Sequence, residues 1–143
     1  VEDEIVYISD VSHIPEDKWP ILETRSGDNK SLPVLVLDCL RLRPHTSHVG
    51  LEGSIELARR IRASRTYLTG FSHDVAHDEY VAIGEAVTRG GTEKDVELLT
   101  ETEKYGLALV KEGARLWLRP AHDGLRVFVA SDGRVWDETY LEN

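Results

Sequence analysis

The run Leu32–Leu40 (LPVLVLDCL) is apolar at almost every position, with Asp38 the one charge inside it. Alternation would mark a strand with one wet face; a continuous apolar run marks a strand buried on both faces. Pro33 sits at its start, where a missing N–H costs least. A polar joint follows, and then Leu51–Ala63. There Leu51, Ile55 and Ala58 share a helical face, with Leu57 and Ile61 beside it. Gly50 is an acceptable N-cap, and acidic residues early and arginines late suit the helix dipole. Thr66–Thr69 (TYLT) reads as the next strand. A strand–helix–strand unit of this kind commits the chain to a parallel sheet and the mixed α/β class.

The flanks extend this pattern. Glu4–Ser9 (EIVYIS) reads as a short strand and Glu16–Leu22 as a short helix. Glu23–Ser31 is a polar loop with a turn signal at Gly27-Asp28. Glu79–Val87 reads as a second helix. Thr100 and Glu103 form a capping box for a helix ending near Val110. Arg115–Arg119, Leu125–Ala130 and Arg134–Trp136 are β-rich runs separated by Asp123-Gly124 and Asp132-Gly133. Asp-Gly turns between such runs predict a C-terminal β-meander. No repeat, low-complexity stretch or linker interrupts residues 1–143, which are expected to form one domain.

Composition narrows the function. The net charge of -9 argues against generic nucleic-acid binding through a basic surface. Bound metal ions can still reverse a local field and admit an anionic substrate. No apolar run approaches the roughly 20 residues of a membrane span, and the acidic start resembles no targeting segment. An intracellular, cytoplasmic location is the expectation. The single cysteine, Cys39, excludes an internal disulfide and a CxxC zinc knuckle. It lies in the apolar strand, so a buried free thiol is expected. Val1 is not a start methionine, which fits a processed form or a fragment.

In α/β proteins, functional groups gather at the C-terminal ends of parallel strands. Asp10 follows the first strand, Arg41–His48 the second, and His73 the third. Carboxylate and imidazole suit zinc, manganese or iron. Either His45-x-x-His48 or His73-x-x-x-His77 could join a metal site, the latter if a helix begins near His73. A single zinc held by these four histidines is the least favoured reading. Taken singly, such residues are more often turn residues or hydrogen-bonded loop side chains.

ISDVSHIPEDKW, LVLDCLRLRPHTSHVGLEGSIELA and TYLTGFSHDVAHDE together resemble the C-terminal half of the metallo-β-lactamase superfamily. The ribonuclease Z and PhnP-like phosphodiesterase branch is the nearest. The likeness covers roughly residues 4–80, and RPAHDGLRV also fits it. It implies about one half of an αββα sandwich, with one sheet needing cover on its inner face. It also implies metal-dependent hydrolysis of a small phosphodiester or cyclic phosphate, with lactone or thioester second. By this resemblance Asp10 is the aspartate that bridges two divalent ions (zinc or manganese), and His73 is the last metal-binding histidine. His48 matches the histidine that transfers a proton at the scissile group. His45 neighbours it and Arg43 is a candidate phosphate contact. Asp38 orients a ligand or caps its loop. His13, His77 and His122 match no assigned position.

The family's HxHxDH motif is absent from the sequence. Two matched ligands cannot hold two metals, since each needs about four to six donors. The chain alone is therefore expected to bind metal weakly or not at all and to be inactive. A missing N-terminal half or a second chain would complete it. The rival expectation is a non-catalytic half-domain, or a truncated remnant, that pairs with another chain.

Overall fold

The structure, a computed structural model, describes residues 5–23, 31–90, 98–110 and 112–141. Four parallel strands form the main sheet in sequential order: β1 (Ile5–Ile8), β2 (Val34–Asp38), β3 (Arg65–Thr69) and β4 (Leu118–Pro120). Register pairs Ile5 with Val34, Val34 with Arg65 and Thr66 with Leu118. A two-stranded antiparallel sheet, β5 (Val127–Val129) and β6 (Val135–Asp137), follows. All three C-terminal β runs form strands. The first joins the parallel sheet three residues further on than its sequence suggested, and the other two make a hairpin. The Gly27-Asp28 turn signal lies outside the described residues.

The helices are α1 (Trp19–Glu23, after a short 3-10 turn), α2 (Leu51–Ile61), α3 (His77–Thr88) and α4 (Glu101–Leu109). α2 forms where the apolar spacing requires it, with Leu51, Ser54, Ile55, Ala58 and Ile61 buried. The Thr100–Glu103 capping box opens α4, with the Glu103 N–H donating to Thr100 Oγ1 at 3.1 Å. α3 begins at His77, so His73 and His77 do not stack one turn apart on a helix.

Pleating splits the strands between two cores. Leu35, Leu37, Leu68 and Leu118 pack under the helices with Trp19, Ile55, Ile83 and Val87. Val34, Tyr67, Trp117 and Tyr140 form the core of the opposite face, beneath Val127, Val129 and Val135 of the hairpin. That cover does not reach β1, where Ile5 and Tyr7 stay 55% and 64% exposed.

Cys39 is a buried free thiol, as its sequence context predicted. Burial pushes its pKa up to about 12, and the neighbouring Asp38 charge adds to the rise. Burial likewise raises Tyr67 and Tyr80 above the ordinary phenol range. A folded-state pKa above the unfolded one gives stability that is complete below the unfolded value. It is lost as pH climbs toward the folded value. Between the ordinary thiol value of 9.0 and about 12, stability should therefore fall. Cys39 alone should cost about 3 kcal/mol at pH 11. Denaturation midpoints from pH 8 to 11 check this, and Cys39→Ala should flatten the decline.

Candidate functional site

Because the four strands are parallel, their C-terminal ends share one edge, and the loops there are laced to one another. Val49 N–H donates to Val11 O at 2.7 Å, tying the β2–α2 loop to the loop after β1. Ser72 N–H donates to Leu40 O at 2.7 Å, tying the β3–α3 loop to the exit of β2. Gly50 closes the β2–α2 loop on itself. A side chain there would lie 2.5–2.7 Å from the backbone of Leu42, Arg43 and Pro44.

Asp38, the last residue of β2, is 3% exposed. Its Oδ2 lies 2.7 Å from His48 Nδ1. A carboxylate only accepts, so Nδ1 carries the ring proton and Nε2 is the nitrogen left for chemistry. That Nε2 lies 3.9 Å from Asp10 Oδ1. Asp10 is exposed and takes a left-handed backbone (φ 52°) just beyond β1. Two further features hold Asp38. Ser54 Oγ sits 2.7 Å from its carbonyl oxygen. Gly70 (φ +78°) passes over its carboxylate, where a Cβ would come within 2.6 Å of Oδ1. The sequence left Asp38 between orienting a ligand and capping its loop; in the structure its carboxylate faces the ring of His48.

The other candidates surround this line. His45 is exposed, with Nδ1 3.2 Å from Ser47 Oγ and its ring centroid 6.1 Å from that of His48. Its backbone N–H donates to His48 O at 3.0 Å, which makes 45–48 a tight turn. Arg43 is exposed and donates from Nε to Tyr105 OH at 2.5 Å. His73 is exposed in the turn after β3, two strands across from Asp10. At about 4.8 Å per strand spacing, the two strand axes lie roughly 10 Å apart.

The remaining histidines have structural partners. His13 lies beside Ser12 Oγ at 3.3 Å. Tyr140 OH donates to Pro120 O at 2.7 Å, so His77 Nε2, at 3.2 Å, is its donor. His122 lies 2.8 Å from Thr139 Oγ1 through Nε2. The Tyr140 and Thr139 contacts tie the C-terminal segment to α3, β4 and the loop after β4.

The metal expectation meets a plain limit. Among the described residues, no three His, Cys, Asp or Glu side chains stand together as a set that could hold a metal ion. The histidine-only zinc site therefore has no support, and Asp10 and His73 do not make a metal centre by themselves. Among the same residues, no helix is long and apolar enough to cross a membrane.

Sequence reasoning left two features of this edge unread. Arg41 lines a cleft with Arg43, and Tyr105 of α4 forms its far wall. Asp38 did carry a signal, as the lone charge in an apolar strand. Tyr105 carried none, since nothing local says where α4 docks.

No family model matches the chain, and no curated protein does. Among solved structures it is similar to one described as a new diphosphatase from the PhnP family. The identity is 27% and the TM-score 0.52, over 85% of this chain and 34% of that one. The chain thus spans about a third of the length of that neighbour. Its fold is the mixed α/β arrangement of part of a metallo-β-lactamase-like protein, and the likeness supports that superfamily at its broadest level.

Proposed function

We propose that this chain is the C-terminal portion of a metal-dependent hydrolase and acts on a phosphodiester or cyclic phosphate only when its site is completed from outside residues 1–143. The observation that carries this reading is the Asp38–His48–Asp10 line at the sheet edge, with 2.7 Å and 3.9 Å separations. A buried carboxylate that fixes the Nδ1 proton leaves Nε2 to give a proton to a leaving oxygen or to take one. His45 and Arg43, on the same loop as His48, are the substrate contacts in this reading. Asp10 and His73 are this chain's contribution to a centre for two divalent ions, zinc or manganese. They are too few to form it, so no catalytic step is assigned to metal here. The similarity to a PhnP-family diphosphatase supports phosphoryl chemistry over lactone or thioester hydrolysis.

A second reading has an observation of its own. Ile5 and Tyr7 are exposed large apolar side chains on β1, the border strand of the sheet among the described residues. They suit a half-domain that pairs with another polypeptide and catalyses nothing.

Metal analysis and a phosphodiesterase assay separate these readings. The purified chain should retain well under one divalent ion after desalting and should not hydrolyse bis(p-nitrophenyl) phosphate. Fusion to, or co-expression with, a polypeptide bearing HxHxDH should restore two ions and turnover. Tight binding of two ions by residues 1–143 alone would refute the incomplete site. A completed assembly that holds metal but never turns over would leave the pairing reading standing.

A further inference from the structure

Between the β2–α2 and β3–α3 loops and α4 lies a cleft of about 390 Å³ with no role in the proton transfer described above. Arg41 and Arg43 of the β2–α2 loop line one side, Asp74 and Val75 of the β3–α3 loop another, and Tyr105 of α4 the third. The loop carrying the arginines continues into His45 and His48, and the loop carrying Asp74 starts from His73. The cleft is thus bordered by both loops that bear the candidate active-site histidines.

Its chemistry is specific. Arg41 Nε is buried and has no hydrogen-bond partner among the described residues. That nitrogen is sealed from solvent, so the part of Arg41 that can meet a ligand in the cleft is its pair of terminal amino groups. Arg43 is braced instead. Its Nε donates to Tyr105 OH at 2.5 Å, and its guanidinium carbon lies 5.2 Å from the Tyr105 ring centroid. This fixes the guanidinium plane while the terminal amino groups have no acceptor among the described residues. Asp74 accepts from Ser72 Oγ at 2.8 Å. Two guanidiniums against one carboxylate leave the cleft positive in a chain of net charge -9. Planar, pre-oriented guanidiniums match phosphoryl oxygens in pairs, as a lysine would not.

We propose that this cleft is a phosphoryl-binding subsite, in which Arg41 and Arg43 hold a phosphoryl group on the part of the substrate that is not cleaved. Its place in a reaction rests on the hydrolase reading, but the binding does not. The substrate class narrows to esters that carry a second phosphoryl group, such as diphosphate diesters.

The test is an NMR titration of the chain with inorganic phosphate, in EDTA and at constant ionic strength. Saturable shifts should appear at the Leu42, Val75 and Tyr105 amides and at the Arg41 and Arg43 side-chain N–H signals. Arg41→Gln with Arg43→Gln should weaken binding at least tenfold. Arg41→Lys, which keeps the charge but loses the planar pair of terminal donors, should weaken it several-fold. Arg126→Gln, the loss of an exposed arginine on the hairpin side, should leave it unchanged. Absence of saturable shifts at the cleft would overturn the subsite. So would wild-type binding by Arg41→Lys, or equal weakening by Arg126→Gln. Because no metal or turnover enters the measurement, phosphate binding stands if hydrolysis fails, and its failure leaves hydrolysis to its own assay.

Discussion

Asp137→Ala should cost about 3–5 kcal/mol of folding stability, the usual result of stranding one partner of a buried ion pair. Asp137 Oδ2 lies 2.6 Å from Arg65 Nη1 and accepts from Tyr67 OH, also at 2.6 Å. Its Oδ1 accepts the backbone N–H of Thr139 at 2.9 Å and of Tyr140 at 2.5 Å. Both charged side chains are nearly sealed from water, at 5% and 0% exposure. Alanine would leave Arg65 charged under the hairpin and free the turn that docks Tyr140 against Trp117. Urea denaturation reads the loss directly. Replacing both partners with apolar residues, Arg65→Met with Asp137→Leu, should recover most of it, because no lone charge then remains. A single-variant loss below about 1 kcal/mol would show that the pair is not buried as described.

His48→Gln should lower phosphodiester turnover in a completed assembly by roughly a hundredfold to ten-thousandfold, the usual range for a general acid or base. Substrate affinity should change little, since phosphoryl binding is assigned to Arg41 and Arg43. Asp38→Asn separates position from proton transfer. The amide can face the ring with its NH2 and push the proton to Nε2, the wrong nitrogen for this geometry. Nitrogen-15 spectra of His48 should report that exchange of tautomer, and turnover should fall with it. A rate insensitive to His48 would remove the proton-transfer role and leave the residue a loop anchor.

The parallel sheet was legible because Leu32–Leu40 is too apolar to have a wet face, and because the period of Leu51–Ala63 fits only a helix. Asp10, His48 and His73 were legible as strand-end residues for the same topological reason. The pairing of Asp38 with His48 was not, since it depends on how the twelve-residue loop 39–50 folds back over Gly50. β4 was misjudged as a hairpin member because its partner is chosen by α3. A side chain on Gly84 would contact Leu118 O, so the helix lies directly on β4 and seats that strand beside β3. The sequence of β4 itself carries no mark of that choice.

β1 has consequences of another kind. It is four residues long, stands at the border of the sheet among the described residues, and carries Asp10 just past its end. Short border strands are the first to open in native-state hydrogen exchange. Coupling between sites is reciprocal. A polypeptide that sealed this border would steady the Asp10 carboxylate, and an ion gripped by that carboxylate would in turn tighten the seal. Assembly and ion uptake would then titrate together as one event.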